Sequence, residues 1–323
     1  MTESNSSREY QKTIFLYLGK YGTIISLLIM IVCFSYFLSS FRSKENLINM
    51  MGQVAFLSII SAGLTCCLKA GDFDLSIGGI ATLAGNIIAW LLVNNHGMAL
   101  SIVYTLFIGI TAGLINGILV AYIGFPSLIC TLATMGIMMG ITEGLTEGIS
   151  IWSGIPESFS IIGKGAVGGI PIRFIIMFIL LIGLEFLHKQ TEVGRKLEAI
   201  GGNPVASRLS GINVKWNRML AFVLSGLFAA ITGIMVTSSL MFSDSNIGLG
   251  FTFPAIVACF IGAATIKIGH FHILGTFVGV LIMVVATSGM IILLVPSYLL
   301  DIVRGLILML SILLASIATR GTK

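Results

Sequence analysis

Apolar runs of about 20 residues follow one another along almost the entire chain, separated by short polar or glycine-rich breaks. A run of roughly that length is what a helix needs to cross the hydrocarbon core of a bilayer. The charged fraction of 10% lies far below the roughly 25% of soluble domains, and a mean hydropathy of +1.05 leaves too few polar residues to clothe a core of this size in water. The apolar surface therefore faces lipid. The reading is an all-α, polytopic membrane protein: a tail over 1–20, then one membrane domain over 21–319.

Taking Gly, Pro and charge as punctuation, spans are predicted near 21–41, 47–68, 78–94, 98–123, 127–146, 171–188, 217–240, 251–266, 273–295 and 298–319, about ten transmembrane helices. The first is longer than the roughly 7 to 15 residues of a signal-peptide core and no small-x-small site follows it, so it is read as a retained span. The segment near 251–266 is short for a crossing and reads as a candidate broken helix.

With both termini cytoplasmic, Arg8, Lys12, Lys20, Lys69, Lys189, Arg195, Lys196, Arg208, Lys215, Arg218, Lys267, Arg320 and Lys323 fall inside, and only Arg42, Lys44, Lys164 and Arg173 fall outside. That bias fits the positive-inside rule. The net charge of +5 thus reports orientation; a nucleic-acid partner is not expected, because it would need basic residues gathered on one aqueous face.

Thirty-eight glycines would weaken soluble helices, but in lipid small residues let backbones approach closely. Gly109-x-x-x-Gly113-x-x-x-Gly117 and Gly275-x-x-x-Gly279 are predicted packing faces. The five cysteines lie in apolar runs with no C-x-x-C spacing, and His270 and His272 lack a third ligand, so neither a metal nor a cofactor is expected.

The polar stretch 189–218 reads as two short helices. The first, Glu192 to Ile200, is expected to stop at Gly201-Gly202 in a left-handed turn; Asn203 caps the second, Pro204 occupies its first position and Gly211 ends it. Between two spans such a stiff piece suits either an ordinary structured loop or a transmitter of motion from a cytoplasmic partner.

Charges within spans are costly and are functional candidates. Glu185 with Lys189 and Asp301 with Arg304 have local partners. Glu143 and Glu147 do not: at i, i+4 they read either as solvated ends or, with Asn86 and Asn116, as acceptors and amides for sugar hydroxyls. Asp74, where one span breaks into the next, reads as a helix cap through its own carboxylate or Ser76, or as a pathway residue. The chain contains no G-x-x-x-x-G-K-[ST] and no H-E-x-x-H, so it is expected neither to hydrolyse ATP nor to be an intramembrane enzyme. An ion-coupled secondary transporter is a separate alternative.

Gly194-Arg195, Ala199-Ile-Gly-Gly-Asn203, and Ala206 followed by Arg208-Leu-Ser-Gly-Ile-Asn-Val214 resemble the cytoplasmic coupling loop of ribose-type ABC transporter permeases. Gly71-Asp-Phe-Asp-Leu-Ser-Ile-Gly78, Gly113-Leu-Ile-Asn-Gly-Ile-Leu-Val-Ala121 and Thr131-Leu132 are similar to further segments of that family, whereas Phe253–Cys259 and Gly262–His272 depart from it. The resemblance implies a ten-helix ABC importer permease in the bacterial inner membrane, paired with a second permease, identical or different. It also implies two cytoplasmic ATPase subunits and an extracytoplasmic solute-binding protein. Arg195, Asn203, Arg208 and Gly211 would belong to the ATPase coupling segment. The implied cargo is a sugar, with branched-chain amino acids or nucleosides as the alternative.

Overall fold

The computed structural model describes residues 21–320. The expected tail 1–20, with Arg8, Lys12 and Lys20, lies outside them, as does Lys323.

The helices run in the order α1 (Tyr21–Phe37), α2 (Lys44–Lys69), α3 (Ile77–Val93), α4 (Met98–Ile118), α5 (Ser127–Thr146), α6 (Ser160–Lys164), α7 (Ile172–Gln190), α8 (Glu192–Gly202), α9 (Pro204–Leu209), α10 (Val214–Leu240), α11 (Thr252–Ala263), α12 (Ile273–Ile292) and α13 (Ser297–Arg320). All except α6, α8 and α9 stand under the ten expected segments. Five of them are long and apolar enough to cross a membrane: α2, α4 with its continuation to Ile123, α5, α10 and α12. The chain is thus an all-α polytopic membrane protein.

Boundaries follow local chemistry. α4 continues as a π turn over Leu119–Ile123, Gly124 turns left-handed at φ 95°, and Pro126 precedes α5. α1 stops short of its expected end, because the chain turns through a 3-10 helix, Ser39–Arg42, that buries Phe41 beside the Phe34 ring at 5.6 Å. α11 is indeed short, one 3-10 turn and 12 residues.

The described residues divide into two units, 51–256 and the two flanks 21–50 with 257–320. In the first, α10 is central and packs on α3, α4, α6 and α8, while α3 also packs on α5. The α4 glycines make its closest seam: Gly109 lies on Ala230 and the Gly226 carbonyl, Gly113 on the Phe222 carbonyl and Gly117 on Met219. In the flanking unit, Gly275 and Gly279 do the same for α12 on α11, against the Gly262 and Ala258 carbonyls. There Asn46 also accepts a hydrogen bond from Ser288 at 3.1 Å, and the Thr23 and Thr265 hydroxyls meet at 2.7 Å.

Two irregular stretches had no counterpart in the expected spans. Between α5 and α7 lie α6 and a hairpin of β1 (Ala166–Val167) and β2 (Ile170–Pro171) around Gly168-Gly169, both at positive φ. After α10 the chain turns back alongside α3. The Asn86 amide donates to the Asp244 carbonyl at 2.7 Å, the Gly248 amide donates to Thr82 Oγ1 at 3.0 Å, and the Phe251 ring meets Phe56 edge-on. Non-helical backbone of this kind is tolerated within a membrane protein where protein partners satisfy it.

Candidate coupling and translocation site

The polar loop between α7 and α10 forms as two helices. α8 is amphipathic and buries Gly194, Leu197 and Ile200. On its exposed face Lys196 bonds Glu192 at 2.6 Å, and this hydrogen bond holds the Glu192 carboxyl below its ordinary range. The expected left-handed stop at Gly201-Gly202 does not occur: both residues are helical and neither has positive φ. Gly201 instead serves close approach, since a methyl there would strike the Lys69 carbonyl oxygen.

Asn203 takes an extended conformation, and its Oδ1 accepts from the Val205 and Ala206 amides, both at 3.0 Å, with Pro204 at the first helical position. Gly211 has φ 81°, a value that strains any residue with a Cβ. A second cap, unmarked in the sequence reading, follows at once: Asn213 Oδ1 accepts from Trp216 N at 3.0 Å and starts α10. Asn203 therefore fixes the start of α9, Ser210 and Gly211 close it, and Asn213 fixes the start of the span that follows. α9 presents Val205 and Leu209, 69% and 85% exposed, with Arg208 exposed between them; Arg195 is exposed on α8.

Three ion pairs tie this end together. Lys189 meets Glu185 at 2.7 Å as expected, and Lys69 reaches Glu198 of α8 at 3.1 Å. Arg218 grips Asp72 through two bonds, Nε to Oδ2 at 2.7 Å and Nη2 to Oδ1 at 2.6 Å. Asp72 is buried, which preserves such a charge-assisted fork from competition by water.

Just beyond, Asp74 and Asn116 come together. Asp74 is fully buried in the α2–α3 linker, outside both helices, and burial pushes its carboxyl up. Its Oδ1 accepts from the amide and hydroxyl of Ser76. The Asn116 amide donates to Ser76 Oγ at 2.8 Å, and Asn116 Oδ1 accepts from Thr134 at 2.6 Å. Ser225 of α10 and Cys67 of α2 lie close to the carboxyl. Of the two expected caps, Ser76, the residue before α3, makes no side-chain cap bond because its hydroxyl is spent on Asp74, while the backbone amide that the Asp74 carboxylate accepts is that of Ser76. The result links the linker, α4 and α5.

Asn86 stands apart from this chain, bonded to Thr82 O at 2.9 Å and Asp244 O. Glu143 is exposed on α5, on the side that carries Gly136, Gly140 and Gly144, where a methyl would meet no neighbouring element within 4 Å. Glu147 is not on that helix face: α5 ends at Thr146, and Glu147 is its exposed cap at φ 53°. Arg173 donates to the Gly163 carbonyl at 3.0 Å and Ser239 at 2.8 Å and stacks over Phe56, which holds α7 to α6 and α10.

The arrangement combines a capped, exposed helix at one end of the bundle with a buried chain of polar side chains. The permease of Haemophilus influenzae that imports ribose is 32% identical to this chain over 90% of its length and 91% of its own. The ribose import permease of Bacillus subtilis is 33% identical over 91% and 92%. The galactose/methyl galactoside import permease of Escherichia coli is 31% identical over 95% and 97%. No solved structure matches the chain. The profile described as "branched-chain amino acid transport system / permease component" matches residues 46–312, and the chain belongs to that permease family.

Proposed function

We propose that the chain is the membrane-spanning subunit of a bacterial ABC importer that passes a monosaccharide inward. Separate ATPase subunits drive it, a second permease pairs with it, and an extracytoplasmic binding protein delivers its solute. Ten helices cross, both termini are cytoplasmic, and α8–α9 lie on the ATPase side. The observation that carries this reading is α9: a short helix capped at both ends, projecting two apolar side chains and an arginine that the folded chain leaves uncovered. An apolar pair flanking a cation fits a groove on a soluble partner better than it fits water.

The sugar assignment rests on the relatives, whose names also include an L-arabinose permease 30% identical over 91% of this chain. The family description favours a second reading, branched-chain amino acids. Uptake by the reconstituted importer separates the two. Labelled ribose, galactose or arabinose is expected to enter with ATP; entry of leucine while all three sugars are excluded would replace the sugar reading. Among the expected pathway residues, Glu143 and Glu147 are the proposed solute acceptors, being exposed. Asp74, Asn86 and Asn116 hold the pathway helices in place through the bonds of Asp74 Oδ1, the Asn86 amide nitrogen and both ends of the Asn116 amide.

Leu209→Asp and Arg208→Glu are expected to weaken ATPase co-purification about tenfold, about 1.4 kcal/mol, while the protein still inserts. Unchanged association in both would remove α9 from the interface. Orientation is checked at Ser210, which is exposed, whereas Ser207 is buried. In a background lacking the exposed Cys33, a cysteine at 210 is expected to react with an impermeant maleimide only in inverted vesicles. Labelling in intact cells would reverse the topology.

A further inference from the structure

The linker between α2 and α3 is bonded on every side. Its first neighbour, Lys69, is paired with Glu198 and carries Gly201 of α8 on its carbonyl. Asp72 is forked by Arg218 in the second turn of α10. The Phe73 amide donates to Ser127 Oγ at 3.1 Å and the Leu75 amide to Thr131 Oγ1 at 3.0 Å, both in the first turns of α5. Ser76 meets Asn116 of α4.

We propose that residues 69–76 are the transmission element of the importer, and that Asp72 and Arg218 are positioning residues that carry displacement of α9 into the helices of the pathway. This rests on the reading of α9 as the ATPase contact. Both arms that hold α9, α8 before it and α10 after it, grip the same short linker. The α8 grip is an ion pair plus a backbone contact with no room for a Cβ; the α10 grip is a two-bond fork, which resists rotation as well as separation. A push on α9 is therefore delivered to the linker instead of being absorbed by bending of a loose loop. From there the Phe73 and Leu75 amides pull on the start of α5, and Asp74, Ser76, Asn116 and Thr134 lock α4 and α5 to the same movement. α5 is also the helix that carries Glu143.

The burial of Asp72, against a half-buried Arg218, separates this role from that of a surface bridge. Asp72 is 3% exposed, so the fork stays closed while the loop moves. A charge partner 146 positions away serves no local helix; what it joins is the linker to the exit of the coupling loop.

The test uses the whole importer in proteoliposomes: permease, ATPase, and binding protein loaded with whichever of ribose, galactose or arabinose uptake selects. For Asp72→Asn, ATPase association and basal hydrolysis per complex are expected at wild-type levels. Stimulation of hydrolysis by loaded binding protein should fall at least fivefold, and more ATP should be consumed per sugar imported. Arg218→Lys, which keeps the charge and loses the fork, should fall between, and the exchange of Asp72→Arg with Arg218→Asp should recover part of the stimulation. Because these ratios are taken per assembled complex, a smaller yield of protein does not mimic the effect. Full stimulation in both Asp72→Asn and Arg218→Lys overturns the proposal. So does loss of ATPase association in step with transport, which would make the pair part of the docking surface. Failure of the α9 reading shows separately, as unchanged association in Leu209→Asp and Arg208→Glu.

Discussion

Asn116→Asp is expected to leave almost no transport-competent protein in the membrane. The amide at 116 donates to Ser76 Oγ, whose own proton already goes to Asp74. An aspartate there replaces that donor by an oxygen facing an oxygen, and adds a second buried carboxyl two hydrogen bonds from the first. Two such groups cannot both ionise cheaply, and leaving a buried charge uncompensated costs about 3–5 kcal/mol, a large share of the roughly 5–15 kcal/mol that holds an ordinary folded protein together. The measurement is the amount of monodisperse permease extracted, followed by uptake. Asp74→Asn in the same chain should restore part of both, because one carboxyl then remains and an amide again donates. Wild-type yield and uptake in Asn116→Asp alone would show that the Asp74–Ser76–Asn116 chain does not carry the weight given to it.

Gly113→Leu should be comparably damaging for a steric reason. A single methyl at this position already overlaps the Phe222 carbonyl, and a backbone oxygen inside α10 has no rotamer to retreat into. Overpacking a tight contact typically costs about 1–3 kcal/mol; four added carbons at a backbone seam place this case at roughly 3 kcal/mol or more. Gly136→Leu is the matched control, the same exchange on a helix where nothing lies within 4 Å. Thermal unfolding of the detergent-solubilised permease is expected to drop by several degrees for the first relative to the second. Equal midpoints would mean that the α4–α10 seam opens without cost.

The parts that a reader of the sequence could locate were those written in local chemistry. Ser127–Thr146 was bounded correctly because a proline precedes it, and Asn203-Pro204 to Gly211 marked α9 because caps and positive φ are demands made within a few residues. The glycine faces on α4 and α12 were found by spacing alone. What they pack against was not, since two stripes of the same spacing, on α4 and α5, meet a backbone in one case and open space in the other. The stop misplaced at Gly201-Gly202 has the same origin: a glycine reads alike whether it frees a dihedral or admits a neighbour, and only the Lys69 carbonyl tells which. Asp72 with Arg218 and Asn86 with Asp244 join residues 146 and 158 positions apart, and no periodicity records such a choice. Asp74 and Asn116 were singled out for being polar in apolar surroundings, a sound signal for a buried network that does not reveal which residues share it.

The returning turn beside α3 makes one connection in this chain intolerant of a change in length. Surface loops ordinarily accept insertions. Here Asp244 and Gly248 are four residues apart and bond Asn86 and Thr82, also four apart and so one helical turn from each other. The two intervals are matched, running in opposite directions. One residue added or deleted between 244 and 248 shifts the loop out of step with the helix, so that keeping either bond forfeits the other. This piece of coil behaves as a ruler laid against α3: its composition can drift, but its count cannot.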